Sequence, residues 1–265
     1  MAGKGNLTIS DLTVMKQQGE KIAMLTGYDA TFAAVMDKAG VDIILVGDSL
    51  GNVVQGRETT VAVSVEDMVY HTRAVARGIR RTFLLSDMPY GSYHNSETAM
   101  ANAHRLMAAG GHMVKLEGAG PYIEVVEYLS SRGVPVCGHL GLTPQSVHQL
   151  GGFKVQAREE AAAEQLRQDA RALQQAGARM LVLEAIPAPL AAEVSGELDI
   201  VVIGIGAGPE CDGQVLVMHD MLGLSDRLPK FVRNFMDGQS SIEAAFKRYV
   251  ADVRSGAFPA EAHQY

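Results

Sequence analysis

Tryptophan is absent from this chain, cysteine occurs twice, and aromatic residues make up only 6% of its 265 positions. Two cysteines, Cys137 and Cys211, exclude the disulfide framework of small secreted domains. Neither has partners at metal-ligand spacing, so both are expected as free, reduced thiols. Sparse aromatics supply base stacking poorly. Clustered positive charge is also missing: the formal net charge is -7, and the basic knots Arg77 to Arg81 and Lys247-Arg248 are short. No nucleic acid partner is expected, because phosphate binding needs grouped lysines and arginines. No run approaches the roughly 18 uncharged apolar residues that span a bilayer. The first twenty residues, with Lys4, Asp11, Lys16 and Glu20 among polar neighbours, lack the apolar core of a secretory signal. A cytoplasmic protein with no membrane partner is therefore expected.

What the chain does have is a series of short apolar runs with helical segments between them, the pattern of repeated βα units and a parallel sheet. Apolar residues form 47% of the sequence, and 265 residues suffice for one large core. One domain over residues 1–265 is expected, with a short N-terminal segment and a C-terminal helical extension. Strands are predicted near 22–27, 42–47, 82–87, 113–117, 134–139, 179–184, 199–205 and 214–219. The runs Ile43 to Val46 and Ile200 to Ile203 are apolar at consecutive positions, as in strands buried on both faces. An open doubly wound sheet gives similar runs, and the count of eight favours a closed (β/α)8 TIM barrel.

Helix signals fill the intervals. Ser64 and Asp67 form a capping-box pattern ahead of the stripe Val65, Met68, Val69, Thr72 and Val75, with Gly78 at its end. Asn95 or Ser96 is placed to cap a helix carrying Met100, Ala103 and Met107 on one face. Leu166, Ala170 and Leu173 repeat at helical spacing before Gly177. After Leu228 a helix is expected around Ile242 to Val253, followed by a loose polar tail.

Four of the apolar runs lead into a carboxylate: Ile44 to Val46 into Asp48, Phe83 to Leu85 into Asp87, Met113 and Val114 into Glu117, and Leu181 to Leu183 into Glu184. A buried acid is costly unless it meets a cation or a substrate, so four in succession point to one shared polar site. In a (β/α)8 barrel the strands' C-terminal ends carry the active site, and all four acids fall there. Any one of them alone could equally cap the following helix. An oxygen-only ligand set such as Asp48, Asp87 and Glu117 favours a hard divalent cation, Mg2+, over zinc. Lys115 alternates with Leu116, which turns it to the same side as Glu117; taken alone it reads as a salt-bridge partner. His139 fits either a core histidine or a substrate hydrogen bond, while His71, His148 and His219 fit structural roles better. Gly204 to Gly208 is either a phosphate-type loop or a turn allowing tight backbone. Cys137, Met218 and Met221 read as core.

Several longer segments match a family. Val46 to Gly51 (VGDSLG), Val65 to Val75 (VEDMVYHTRAV), Met113 to Gly118 (MVKLEG), Pro135 to Gln145 (PVCGHLGLTPQ), Gly152 to Gln156 (GFKVQ), Gly204 to Gly208 (GIGAG) and Gln214 to Gly223 (QVLVMHDMLG) closely resemble ketopantoate hydroxymethyltransferase. The resemblance runs from about Leu7 to Arg254. It implies a barrel of the phosphoenolpyruvate/pyruvate-binding type. It also implies transfer of a hydroxymethyl group from 5,10-methylenetetrahydrofolate to 3-methyl-2-oxobutanoate through a metal-stabilised enolate. The product would be 2-dehydropantoate, in the first step of pantothenate biosynthesis. Carried over position by position, Asp48 and Asp87 match metal ligands that also meet the substrate, and Glu117 a third acid on the cation, directly or through water. Ser49 and Lys115 match oxoacid-binding residues, Glu184 the general base. One Mg2+ per subunit and a large homo-oligomer, a decamer, are implied too, and the segment Phe231 to Met236 offers an apolar face for assembly. Arg57, Ala185, Gly111-His112 and Pro209 to Cys211 depart from the family's usual residues, the last of these on the loop expected near the folate. A carbon–carbon lyase or mutase on the related barrel would need its own acid or nucleophile loop, which is not found. A non-catalytic oxoacid-binding protein would be expected to lack the base or a ligand, and all are present.

Overall fold

The computed structural model describes residues 5–265, so Lys4 and the first residues of the N-terminal segment lie outside the described residues. Eight parallel strands form a closed barrel in the order of the chain: β1 Ile22–Thr26, β2 Ile43–Val46, β3 Phe83–Asp87, β4 Met113–Lys115, β5 Val136–Gly141, β6 Met180–Glu184, β7 Val201–Ile205 and β8 Gly213–Leu216. β8 closes on β1 with Met24 opposite Val215. The helices are α1 Ile9–Gln17, α2 Ala30–Ala39, α3 Leu50–Val53, α4 Val65–Gly78, α5 Ser96–Ala108, α6 Ile123–Ser131, α7 Val147–Leu150, α8 Glu160–Gln175, α9 Ala188–Glu197, α10 Met218–Met221 and α11 Ile242–Arg254. No helix of the described residues is long and apolar enough to cross a membrane.

Local chemistry explains the start and end points. Ser64 caps α4, its hydroxyl accepting from the Asp67 N–H at 3.1 Å while Asp67 accepts from the Ser64 N–H at 3.0 Å. Asn95 rather than Ser96 caps α5. On α8 the buried stripe is Ala163, Leu166, Ala170 and Leu173, and removing a leucine from such a site costs about 3 kcal/mol. Gly78 closes α4 because a Cβ there would stand 2.3 Å from the Ala30 carbonyl oxygen. Gly141 is needed twice over, with φ 89° and a Cβ position only 2.2 Å from the Glu184 carbonyl oxygen. It lets the end of β5 press against the end of β6.

Three expectations are corrected. β5 continues to Gly141, so His139 sits within the strand, opposite Val182, and not at its end. Phe231, Val232 and Phe235 are buried within the chain, Phe235 meeting Tyr249 and Phe258 edge-on, so this segment offers no open apolar face. The tail after α11 is not loose: Lys230 donates to the Gln264 carbonyl at 2.7 Å, and the Ala188 N–H donates to that of Tyr265 at 2.8 Å. The apolar Phe258 anchors this return, which its polar composition hid. α11 itself packs beside β1, where the Tyr249 hydroxyl lies between the carbonyls of Met24 and Gln214 at 2.9 and 2.8 Å.

Candidate active site

The C-terminal ends of the strands surround a cavity of about 620 Å3, and Asp48, Ser49, Asp87, Lys115, Glu117, His139 and Glu184 all line it. Asp87 and Glu184 are the last residues of β3 and β6, while Asp48 and Glu117 lie two residues beyond β2 and β4. Asp48, Asp87, Lys115, Glu117 and His139 are buried; Glu184 is more open. Alternation along β4 turns Lys115 and Glu117 to the same side, and β5 inserts His139 beside them.

Lys115 Nζ stands 2.7 Å from Asp87 Oδ1, close enough for an ion pair but without a well-aligned hydrogen bond, and 3.7 Å from Glu117 Oε1. His139 Nδ1 lies 3.2 Å from Glu117 Oε1, and its Nε2 lies 3.2 Å from Glu184 Oε2. Asp87 Oδ2 accepts from the Asp48 N–H at 3.0 Å, fixing the β2 loop on β3. Burial opposes charge on Lys115, yet Asp87, Glu117 and Asp48 outweigh it and hold the ammonium protonated well above its ordinary range. Burial and Lys115 also oppose charge on His139, but hydrogen bonds to Glu117 and Glu184 raise its pKa to about 9. The imidazole thus lies between two carboxylates, hydrogen-bonded to Glu117 through Nδ1 and within ion-pair reach of Glu184 through Nε2.

The acids divide. Burial would raise Glu117, but His139, Lys115 and the Gln145 N–H bring it below the usual carboxylate range. Burial, with the charges of Asp87 and Glu117, pushes Asp48 up to about 8. Asp87 is also raised by burial in spite of Lys115. Two facing carboxylates that resist ionisation form a hard oxygen site where a divalent cation would relieve the unbalanced charge. Among the described residues no three His, Cys, Asp or Glu side chains are already gathered as a metal cluster. The fit is therefore to a cation held by one or two carboxylates, with water and substrate completing its shell, as Mg2+ prefers.

Sequence reasoning passed over a supporting group. Gln145 donates from Nε2 to Asp48 Oδ2 at 2.9 Å and from its backbone to Glu117 Oε2 at 2.9 Å, and accepts from the Tyr93 hydroxyl at 2.6 Å. Tyr28 joins Thr26 Oγ1 and Ser49 Oγ, each at 2.9 Å. A neutral amide or phenol in a loop has no spacing signature; only the run of matched residues through Gln145 marked that loop. His71 and His219 instead pack around the Tyr28 ring and do not line the cavity, nor does His148. The Gly204 to Gly208 turn serves close packing, Gly206 against Phe231 and Gly208 against Ala188.

The family model described as ketopantoate hydroxymethyltransferase matches residues 6–261 of the chain. A relative from Methylobacillus flagellatus, 3-methyl-2-oxobutanoate hydroxymethyltransferase, is 59% identical over 98% of this chain and 100% of its own length. One of the same name from Aromatoleum aromaticum is 56% identical, over 98% of this chain and 97% of its own. Among solved structures, phosphoenolpyruvate phosphomutase from Streptomyces platensis subsp. rosaceus superposes with a TM-score of 0.62 at 13% identity, covering 82% of this chain and 83% of that one. At that identity the likeness concerns the fold alone, the closed barrel of eight parallel strands.

Proposed function

The chain belongs to the ketopantoate hydroxymethyltransferase family, and from that premise we propose that it transfers a hydroxymethyl group from 5,10-methylenetetrahydrofolate to 3-methyl-2-oxobutanoate, giving 2-dehydropantoate. One observation carries the mechanism: Glu184, the more open carboxylate, shares a cavity with Lys115 and the buried acids and is held by His139. Asp48 and Asp87 would hold a divalent cation, Mg2+, with Glu117 reaching it through water. When bound, the cation supplies Lewis-acid charge for the substrate's carboxylate and keto oxygens.

Glu184 takes the C3 proton of the oxoacid. Lys115, already charged, faces the negative charge that grows on the keto oxygen, and the Ser49 hydroxyl orients the substrate's carboxylate. Water adds to the folate's methylene and both methylene–nitrogen bonds break, releasing tetrahydrofolate and a one-carbon aldehyde; the enolate carbon attacks that carbonyl carbon, and the resulting alkoxide takes back the proton held by Glu184 to become the hydroxyl. His139 keeps Glu184 oriented and spreads charge between the base and Glu117. The assembly as a homo-oligomer, a decamer by family resemblance, belongs to the same proposal.

The test isolates proton removal. In D2O with Mg2+ and no folate, the parent protein exchanges the C3 proton of 3-methyl-2-oxobutanoate, followed by NMR. Glu184→Gln lowers that rate by roughly 10²- to 10⁴-fold, the usual worth of a positioned base. An undiminished rate removes Glu184 from the mechanism. Failure of the parent to form 2-dehydropantoate with folate present removes the function.

A further inference from the structure

The deep and outer parts of the cavity have opposite chemistry. The buried part of the lining holds Asp48, Asp87, Lys115, Glu117 and His139, whereas Phe153, Lys154 and Arg227 line it from exposed positions, with the half-buried Tyr265 and the buried Phe231 also on the lining. In a chain with 6% aromatics, three rings line this cavity, and core packing does not require Phe153, which is 63% exposed. Lys154 and Arg227 are exposed, and neither has an ion-pair partner among the described residues, although the chain carries a net charge of -7.

The rim is also built into the site. Gly151 and Gly152 take positive φ values of 68° and 109° ahead of Phe153 and Lys154, and the Gln156 side chain donates to the Lys154 carbonyl at 2.9 Å. The Gln156 N–H then donates to the carbonyl of Ala185, the residue after Glu184, at 2.9 Å. Ala185 itself has φ 48°, a rare conformation for a residue with a side chain. The loop carrying Phe153 and Lys154 is thus tied to the backbone beside the proposed base. From the C-terminal part of the chain, Phe231 meets the Tyr265 ring edge-on at 6.4 Å.

We propose that this outer wall is a subsite for the aromatic body and trailing glutamate carboxylates of the folate, with Phe153 and Tyr265 beside the ring and Lys154 and Arg227 facing the carboxylates. The inference rests on the folate reading above and adds a direction to it. The deep cations Lys115 and His139 are already answered by carboxylates, whereas Lys154 and Arg227 are not, so the anionic end of the cosubstrate points outward while its methylene points toward Glu184. Exposed cations facing a multiply charged tail act through solvent, so the attraction grows with each added glutamate and fades with salt.

The experiment titrates the parent protein with tetrahydrofolate monoglutamate and triglutamate by calorimetry, at low salt and in 0.5 M NaCl. The parent is expected to bind the triglutamate more tightly, with the preference shrinking in high salt. Lys154→Glu and Arg227→Glu each raise the triglutamate Kd about 3- to 10-fold and the monoglutamate Kd less. Phe153→Ala raises both about equally, because it removes ring contact and no charge. Unchanged melting temperatures establish that the variants are folded. Triglutamate affinity unaltered in the Lys154→Glu, Arg227→Glu double variant overturns the subsite, as does a parent that binds neither folate. C3 exchange in the parent without folate reports on the reaction separately, so loss of the reading and loss of the subsite are told apart.

Discussion

The two ends of the barrel treat buried acids in opposite ways. Below the sheet, Asp42 is fully buried, yet Arg81 and Arg254 reach its Oδ1 at 2.6 and 3.0 Å and its Oδ2 accepts from the Ala23 N–H at 3.0 Å. Asp212 is likewise answered by Lys16 at 2.8 Å and the Val202 N–H at 2.7 Å. For Asp37, at the same end, burial is outweighed by donors from Thr82, Arg81 and Arg80, and its carboxyl lies below the usual range. Above the sheet, Asp48, Asp87, Glu117 and Glu184 share Lys115 and His139, and Asp48 has an amide as its side-chain donor. Each lower acid is matched by donors of its own and holds elements together. The upper set is left short of positive charge, which costs stability and leaves a place for a cationic or polarised ligand.

Breaking the lower end has the larger expected effect on folding. Asp42→Ala strands two arginines and the Ala23 N–H, and is expected to lower unfolding free energy by about 3 kcal/mol, the lower part of the range for breaking a buried ion pair since both arginines are partly exposed. Urea unfolding checks this. C3 exchange per folded molecule should stay near the parent's, and its collapse would erase the distinction between the ends.

The pH dependence sharpens the upper end. With a folded pKa raised from 6.5 to about 9, His139 contributes stability that is fully present below pH 6.5 and is lost as pH rises through about 9. The window is bounded by Glu117, Glu184 and Lys115, which face the ring. His139→Asn should flatten the parent's decline in urea-unfolding free energy between pH 6 and 10. An equal slope in parent and variant would return His139 to plain core packing.

The smallest stability effect has the opposite sign. Asp48→Asn keeps the shape while removing a buried acid that resists ionisation, so the metal-free protein is expected to gain about 1 kcal/mol. The same change should abolish Mg2+-dependent oxoacid binding in calorimetry. Destabilisation comparable to that of Asp42→Ala would make the two ends alike.

The contrast between the ends was only half legible in the chain. The acids of the upper end stand out because each follows an apolar run, and period-two alternation put Lys115 with Glu117. Asp42 precedes a strand, where nothing in local sequence distinguishes it from a turn residue; its arginines lie 39 and 212 positions away. Gln145 was hidden for the same reason, since its amide becomes meaningful only beside Asp48, 97 residues earlier. The extension of β5 past His139 depends on the Leu142 N–H reaching the Glu184 carbonyl at 2.8 Å, a partner on another strand.

Local patterning by itself determined the repeated βα units, the capped starts of α4 and α5, and the roster of acids with Lys115 and His139. These follow from interactions spanning a few residues. Only the closed barrel decided which cations answer which acids, that His139 bridges Glu117 and Glu184, and that the tail returns to put Tyr265 on the cavity wall. Charges and hydrogen bonds act over ångströms in space, and the chain's order fixes those distances only after β8 has met β1.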